Sequence, residues 1–245
     1  MPSVATAAAD KMKVPVSKRL SRCAAFVPRN ARVADIGCDH GYLGISLLLS
    51  GRASFVHACD LRPQPLQTAV ENAGRFGVAD KMHFSCANGL AAINPQTVDS
   101  IVIAGMGGEL IANILQAAPW TKDPQYTLIL QPQSSGNDLR RRLCQMGYAI
   151  EEEALEEEGG YLYNILRVRY APGQTLTPGQ EYCSPQLLQS GETLLEPYLR
   201  RVEKALTISV GGIRCAEEPE KRNIRYYETA LEEIKAMLEV LQCQK

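Results

Sequence analysis

A glycine-rich segment near the start of the 245-residue chain places acidic residues among the turn signals of a ligand-binding loop. Asp35 ends a short apolar run, and Gly37, Asp39 and Gly41 follow it at alternate positions. Glycines in such a turn let backbone amides approach a ligand closely. A dinucleotide-binding fingerprint would carry its second glycine where this chain has Asp39, and an acid there would repel a pyrophosphate. The segment therefore favours a ligand with positive charges, although an ordinary strand–helix turn would also account for the loop taken alone.

Polar residues also follow the next two predicted strands. Asp60 comes directly after the apolar segment 54–59. In nucleotide-binding α/β folds an acid at nearly this distance from the glycine turn binds the ribose hydroxyls. Asn88 and Gly89 follow the segment 82–86, where a side chain can reach an adenine ring. Ribose, adenine and positive charge together describe S-adenosylmethionine, which we predict as the cofactor.

Glycines and amides follow two later strands as well. The fourth predicted strand ends in Ala104-Gly105-Met106-Gly107-Gly108, and so many glycines require close backbone approach or positive φ angles. The fifth ends in Gln131-Pro132-Gln133. In a parallel sheet all these strand ends lie at one edge, where α/β folds bind their ligands.

The elements that position these residues alternate between strand and helix. This alternation predicts an α/β, Rossmann-like class I methyltransferase fold, with a mostly parallel seven-stranded sheet and helices on both faces. An amphipathic pattern predicts a first helix over 16–27, and the final pair 149–155 and 161–169 predicts an antiparallel hairpin at one sheet edge. The other predicted strands are 32–36, 54–59, 82–86, 98–104 and 126–130, and the other helices are 42–50, 63–76, 110–117 and 138–146.

The C-terminal third has a different periodicity. Prolines and glycines cluster over 171–185 and predict a linker. Apolar residues at spacings of three and four, from Leu188 to Leu206 and from Ile224 to Leu241, predict an antiparallel helical coiled-coil hairpin with Gly211-Gly212 and Pro219 between its helices. The predicted units are a flexible tail (1–15), the methyltransferase domain (16–170), the linker (171–185) and the hairpin (186–245).

Composition limits the possible functions. The net charge is −1, so any binding of a polyanion must use a local patch. We expect no membrane span, since no apolar run approaches the roughly 18 residues that one needs. We also see no export signal, which favours the cytoplasm. The eight cysteines form no C-x-x-C pair, so we expect reduced thiols and no metal site.

Taken together, these motifs resemble the bacterial tRNA (adenine(22)-N(1))-methyltransferase family. The similar segments are Ser17-Lys18-Arg19-Leu20, 33–40, 103–108, 128–132 and the edge segment Gly159-Gly160-Tyr161-Leu162-Tyr163-Asn164. The resemblance covers roughly residues 16–170, and the C-terminal helices also fit the family. It implies methyl transfer from S-adenosylmethionine to N1 of one adenine in the D-arm region of tRNA.

The resemblance also implies roles for individual residues. Asp39 and His40 map to the loop that faces the target base, and we predict them as catalytic. The alternative for Asp39 is a contact that serves the cofactor's amino group, and the alternative for His40 is a structural role in the loop. The family usually has Asp where this chain has Asn88, and Asn where it has Gln133. The residues predicted to bind the cofactor are Asp35, Gly37, Cys38, Gly41, Asp60, Leu61, Asn88, Gly89, Gly105, Met106 and Gly107.

We predict tRNA as the macromolecular partner of a monomer. The acidic residues at 151–153 and 156–158 should face away from it. Two alternatives remain: a methyltransferase that acts on another RNA, a protein or a small molecule, and a noncatalytic module that binds the cofactor or RNA. The predicted substrate contacts are Gln131, Gln133, Lys18, Arg19, Arg22 and Tyr163, with Lys11, Lys13, Arg29, Arg32, Arg140, Arg141, Arg142, Arg200, Arg201 and Lys204 as further candidate cations.

Overall fold

The computed structural model describes residues 13–215 and 223–243. A seven-stranded sheet with the order β3-β2-β1-β4-β5-β7-β6 forms its centre. All neighbouring strands pair in parallel except β7, which is antiparallel to both β5 and β6. This confirms the mostly parallel sheet and the antiparallel edge pair. The strands are β1 (Ala31–Ile36), β2 (Ala53–Asp60), β3 (Met82–Cys86), β4 (Ser100–Gly107), β5 (Thr127–Ser134), β6 (Tyr148–Glu158) and β7 (Tyr161–Tyr170).

Helices cover both faces of the sheet, as the apolar strands require. One face packs on α1 to α3 through a cluster that includes Cys23, Leu47 and Ala69. The other packs on α4 and α5 through Ile111 and Leu139. The helices of this domain are α1 (Lys18–Phe26), α2 (Tyr42–Leu49), α3 (Pro63–Arg75), α4 (Gly108–Gln116) and α5 (Gly136–Gln145).

Four helices follow the sheet: α6 (Pro178–Tyr182), α7 (Pro185–Leu188), α8 (Leu195–Cys215) and α9 (Ile224–Cys243). Arg214 near the end of α8 pairs with Glu228 near the start of α9, so the two long helices run antiparallel. Two details of the predicted hairpin are wrong. Its first helix begins at Leu195 rather than near Leu188, and Gly211-Gly212 continue α8 instead of separating the helices. Packing against α9 offsets the roughly 1 kcal/mol by which each interior glycine weakens a helix.

A buried ion pair within the methyltransferase domain holds the segment that leads to the C-terminal helices. The Arg140 guanidinium of α5 donates hydrogen bonds to the Glu153 carboxylate of β6, and both side chains are buried. Ser184 donates to the same carboxylate at 2.6 Å, and Arg140 also donates to the Glu181 carbonyl oxygen at 3.1 Å. The segment 171–185 thus contains α6 and packs against the domain. Arg140, predicted as a tRNA contact, is inaccessible because it neutralises Glu153.

Three of the predicted features fall in parts of the chain for which no structure is described. Lys11 and most of the predicted flexible tail lie before residue 13, and Pro219 lies between residues 215 and 223. Among the described helices, none is both long and apolar enough to cross a membrane.

Candidate active site

A cavity of about 530 Å³ opens at the edge of the sheet where β1, β2, β3 and β4 end. The strand-end residues that were singled out in the sequence meet there, because parallel strands bring their carboxyl ends to one edge. The predicted residues that line the cavity are Asp35, Gly37, Cys38, Asp39, His40, Asp60, Leu61, Asn88, Gly89, Gly105, Met106, Gln133 and Arg19.

Asp35 is the least exposed of the charged residues that line the cavity. The residue is only 4% exposed, and its Oδ2 atom has no hydrogen-bond partner. Burial, together with the nearby Asp60 charge, raises the pKa of Asp35 to about 7. A backbone hydrogen bond from Gly44 lowers this pKa but does not cancel the rise. A buried carboxylate with an unpaired oxygen and no nearby positive charge is costly, and a cationic ligand group would stabilise it.

Glycine is required at both ends of the turn after β1. Gly37 and Gly41 have φ angles of +72° and +74°, which L-residues with a side chain rarely adopt. A Cβ on Gly37 would lie 2.3 Å from Met106 Cε, and one on Gly41 would lie 2.9 Å from Ala69 Cβ. Gly37 thus keeps the cavity floor open. Gly41 does not line the cavity, and instead allows α2 to begin close to α3.

Asp60 holds this turn in place. Its Oδ2 accepts a hydrogen bond from the Asp39 amide at 3.1 Å, and its Oδ1 accepts one from the Arg62 amide at 2.9 Å. The Asp39 backbone has a φ of +49°, a conformation that Asp adopts more readily than most residues. Each carboxylate oxygen of Asp60 can accept a second hydrogen bond, so ribose hydroxyls can still bind there.

The two predicted catalytic side chains lie at the mouth of the cavity. The Asp39 side chain is 57% exposed, with His40 Nε2 3.7 Å from its Oδ2 and Arg62 Nη2 3.7 Å from its Oδ1. The His40 carbonyl oxygen accepts a hydrogen bond from Asn72 Nδ2 at 3.0 Å, which fixes this part of the loop to α3. The sequence did not predict Arg62 as a site residue, because an arginine after a strand belongs to no recognisable motif.

The Gly105 turn depends on Gln131. Gln131 is fully buried, and its Oε1 accepts hydrogen bonds from the Gly105 amide at 2.9 Å and from the Arg19 guanidinium. Its Nε2 donates to the Pro132 carbonyl oxygen at 2.7 Å. Gln131 therefore positions Gly105 and Arg19 from behind the cavity wall, and it is itself buried and outside the cavity lining. Gln133 is exposed and lines the cavity, whereas Gly107 does not.

Arg19 connects α1 to the edge pair of strands. Its guanidinium lies 5.5 Å from the centre of the Tyr163 ring and 3.8 Å from a Glu158 carboxylate oxygen. Glu158 also accepts a hydrogen bond from the Lys18 amide at 2.8 Å. Lys18 is exposed and does not line the cavity, although the next residue, Arg19, does. Glu158 thus lies beside a cavity-lining arginine, at the end of the acidic stretch nearest the cavity.

Most of the other predicted cations have acidic or carbonyl partners elsewhere. Arg32 pairs with Asp99 near the opposite edge of the sheet, so it lies far from the cavity. Arg22 pairs with Glu192, and Arg141 pairs with Asp138 and Glu181. Arg142 donates to Asn113, Gln116 and the Glu109 carbonyl oxygen, Arg200 pairs with Glu196, and Arg201 donates to the Gly160 carbonyl oxygen. Lys13, Arg29 and Lys204 are exposed.

The apolar residues that line the cavity were also not predicted from the sequence. Leu20, Leu43, Leu110 and Ile114 face the cavity, but as ordinary helix residues they look like core positions in the sequence. Burial raises the pKa of the Cys38 and Cys59 thiols, so neither offers a thiolate nucleophile. Across residues 13–215 and 223–243 there is no group of three or more His, Cys, Asp or Glu side chains that could hold a metal ion.

The residues present fit S-adenosylmethionine. The partnerless Oδ2 of Asp35 suits the ammonium group, the spare acceptor sites of Asp60 suit ribose hydroxyls, and Asn88 at the end of β3 can hydrogen-bond adenine. The bare backbone of Gly37 leaves space that a Cβ would fill. A cavity of about 530 Å³ lies within the range that holds molecules of this size.

Comparisons with known proteins agree with this geometry. A family model described as a methyltransferase domain matches residues 16–166. The tRNA (adenine(22)-N(1))-methyltransferase of Bacillus subtilis (strain 168) is 36% identical over 62% of this chain, and the match spans 63% of that relative. A Streptococcus pneumoniae protein, solved in complex with S-adenosyl-L-methionine, shares 31% identity with a TM-score of 0.78 over 91% of this chain and 99% of that one. The crystal structure of the B. subtilis m1A22 tRNA methyltransferase gives a TM-score of 0.82 at 28% identity, over 92% and 100% of the two chains.

Proposed function

The chain belongs to the bacterial tRNA (adenine(22)-N(1))-methyltransferase family, and from this premise we propose that it methylates N1 of adenine 22 in the D-arm region of tRNA. The methyl donor in this proposal is S-adenosylmethionine. The observation that carries it is the buried Asp35 carboxylate, one oxygen of which has no hydrogen-bond partner, in the lining of the same cavity as Asp60 and Asn88. We place the reaction in the cytoplasm because the proposed substrate is tRNA, and we assign it to a monomer because one chain forms the whole cavity.

In this proposal three strand ends hold the cofactor. Asp35 binds the amino group, Asp60 the ribose hydroxyls and Asn88 the adenine, while Gly37 and Gly105 leave room for the ligand beside Met106. When bound, the cofactor supplies a strongly electrophilic methyl carbon. The protein therefore has mainly to position the attacking nitrogen and to stabilise the charge that develops on it.

Asp39 and His40 are the groups placed to act on the base. Adenine becomes cationic on methylation at N1, so a carboxylate at the cavity mouth stabilises that charge and can accept a proton from N6. Asp39 is exposed, and its backbone is held by Asp60, which keeps the carboxylate at the mouth. Gln133 lines the same cavity and can hydrogen-bond the base edge. N1 of a paired adenine is hidden, so the base must leave its stack to reach these groups.

The surface around the mouth offers contacts for tRNA. Arg62 is 70% exposed at the mouth, and Lys18 is exposed on α1 beside Arg19. Cations of this kind bind phosphates without regard to sequence and with strong dependence on salt. No second function is favoured by the site, since every described feature of the cavity fits the same cofactor and base.

Transfer of a tritiated methyl group to tRNA tests the proposal. The wild-type protein should label bulk bacterial tRNA. The Asp39→Asn variant, which keeps the shape and tolerates the positive φ, should lower kcat roughly 100-fold or more with little change in tRNA affinity. Asp80→Asn makes the same change on an exposed residue at the opposite sheet edge and should leave kcat unaltered. Binding of tRNA by the wild type without any transfer would instead establish a noncatalytic module.

A further inference from the structure

The turn between β6 and β7 lies at the same edge of the sheet as the cavity. β6 runs parallel to β1–β5, so its last residue, Glu158, is at their carboxyl edge, and β7 starts back from there at Tyr161. Gly159 and Gly160 make a two-residue connection with φ angles of +60° and +81°, as the tightest β-hairpins require. The tip of this hairpin is therefore narrow, and the cavity-lining Arg19 connects it to the cavity by lying 3.8 Å from a Glu158 carboxylate oxygen.

An exposed aromatic ring follows this turn. Tyr161 is 68% exposed, more than any of the other large hydrophobic residues on the described surface. Its ring centre lies 6.4 Å from that of Tyr163, which is on the same face of β7 two residues later. The Arg19 guanidinium lies 5.5 Å from the Tyr163 ring centre, and Arg19 also lines the cavity. An aromatic and cationic path thus leads from the cavity wall to Tyr161.

Other contacts hold the tip in place. Arg201 of α8 donates a hydrogen bond to the Gly160 carbonyl oxygen at 3.1 Å, and the Glu158 carboxylate accepts one from the Lys18 amide at 2.8 Å. Two helices, α1 and α8, therefore hold the turn through hydrogen bonds. A braced turn fixes the backbone that carries the Tyr161 ring, so less chain freedom is lost when a flat partner binds there, which favours stacking.

We propose that Tyr161 is a stacking platform for an unpaired base of the tRNA whose target adenine occupies the cavity. This inference rests on the proposed function. Proteins recognise unpaired RNA bases by stacking them on aromatic side chains, and such contacts tolerate any base because each has a π face. Glu156 and Glu157 precede the turn and disfavour a phosphate there, so the ring and not a charge is the recognition element.

Binding and kinetics of tRNA with substituted Tyr161 test the platform. Tyr161→Ala should weaken tRNA affinity roughly 5- to 150-fold, whereas Tyr161→Phe, which keeps the π face, should stay within about twofold of wild type. The loss should appear in KM for tRNA, with the affinity for S-adenosylmethionine unchanged. Because stacking releases no counterions, the slope of log K against log salt should also be unchanged. Leu49→Ala removes an exposed apolar side chain from the far end of α2 and serves as the control.

Fluorescence gives a direct readout of stacking. In a Trp120→Phe background, which removes the chain's single tryptophan, Tyr161→Trp should lose emission when tRNA binds and keep it when only the cofactor is added. If the wild-type protein methylates tRNA and Tyr161→Ala binds tRNA as tightly as the wild type does, the platform is overturned and the proposed function remains intact. A change in sedimentation of Tyr161→Ala without a change in tRNA affinity would assign the ring to a contact between copies of the chain and would equally overturn it. If the wild type neither binds nor methylates tRNA, both the platform and the proposed function fail.

Discussion

Substitution of Asp35 by Asn should move stability and cofactor affinity in opposite directions. The carboxylate is buried, one of its oxygens has no partner, and burial raises its pKa from 3.8 to about 7. The folded protein without cofactor therefore favours the protonated form. The stability that the protonated Asp35 contributes to the folded protein is fully present below about pH 4 and is lost as the pH rises to about 7.

The size of both effects follows from these values. A rise of the pKa from 3.8 to about 7 corresponds to at most about 4 kcal/mol lost above pH 7. Asp35→Asn has no charge to bury, so the free variant should be more stable than wild type at pH 8, by about 2–4 °C in Tm for each kcal/mol. Loss of a charged acceptor for the amino group should cost about 2–3 kcal/mol of cofactor binding. This corresponds to a Kd raised roughly 30- to 150-fold.

Titration calorimetry and thermal melts at two pH values measure the predicted changes. Wild-type affinity for S-adenosylmethionine should rise roughly tenfold from pH 6 to pH 8, as the carboxylate loses its proton, and Asp35→Asn should show no such rise. Asp80→Asn, an exposed position, should match wild type in both assays. A variant that is less stable than wild type at pH 8, or that binds the cofactor equally well, would refute this role of Asp35.

Two further substitutions test the loop and the domain junction. Gly37→Ala forces a positive φ on a side-chain residue and brings its Cβ to 2.3 Å from Met106 Cε, so it should lower stability by about 1–2 kcal/mol in urea unfolding and weaken cofactor binding. Gly74→Ala in α3, with open space around it, should stabilise the protein slightly, and equal losses at both glycines would contradict the argument. Arg140→Met leaves Glu153 buried without its charge partner and should cost about 3–5 kcal/mol in the same assay, most of which Glu153→Leu in the same chain should restore. A loss below about 1 kcal/mol for Arg140→Met would show that water reaches the ion pair.

The sheet could be predicted from the sequence because its strands are almost continuously apolar and each ends in a recognisable turn. β3 matches its predicted bounds, and the other strands differ by a few residues at their ends. The predicted helix bounds were less accurate in the C-terminal segment, where tertiary contacts determine which residues are helical. Gly211 and Gly212 remain helical because α8 packs on α9, and α6 forms within a proline- and glycine-rich segment because it docks against α9 and α5.

The site could be predicted at the strand ends but less well beyond them. Asp35, Asp60 and Asn88 meet because topology alone brings them together. The depth of each polar side chain depends on its neighbours, which the sequence does not show. Gln131 therefore turned out to be buried behind Gly105, while Arg62, which has no motif, lies exposed at the mouth.

Mapping of the modified nucleotide tests the central proposal most directly. A transcript of a bacterial tRNA with adenine at position 22 is incubated with the protein and S-adenosylmethionine, digested and analysed by mass spectrometry and by primer extension. The proposal predicts 1-methyladenosine at position 22 alone, and none in the same transcript with guanine at that position. Methylation at another nucleotide, or equal labelling of the two transcripts, would contradict it.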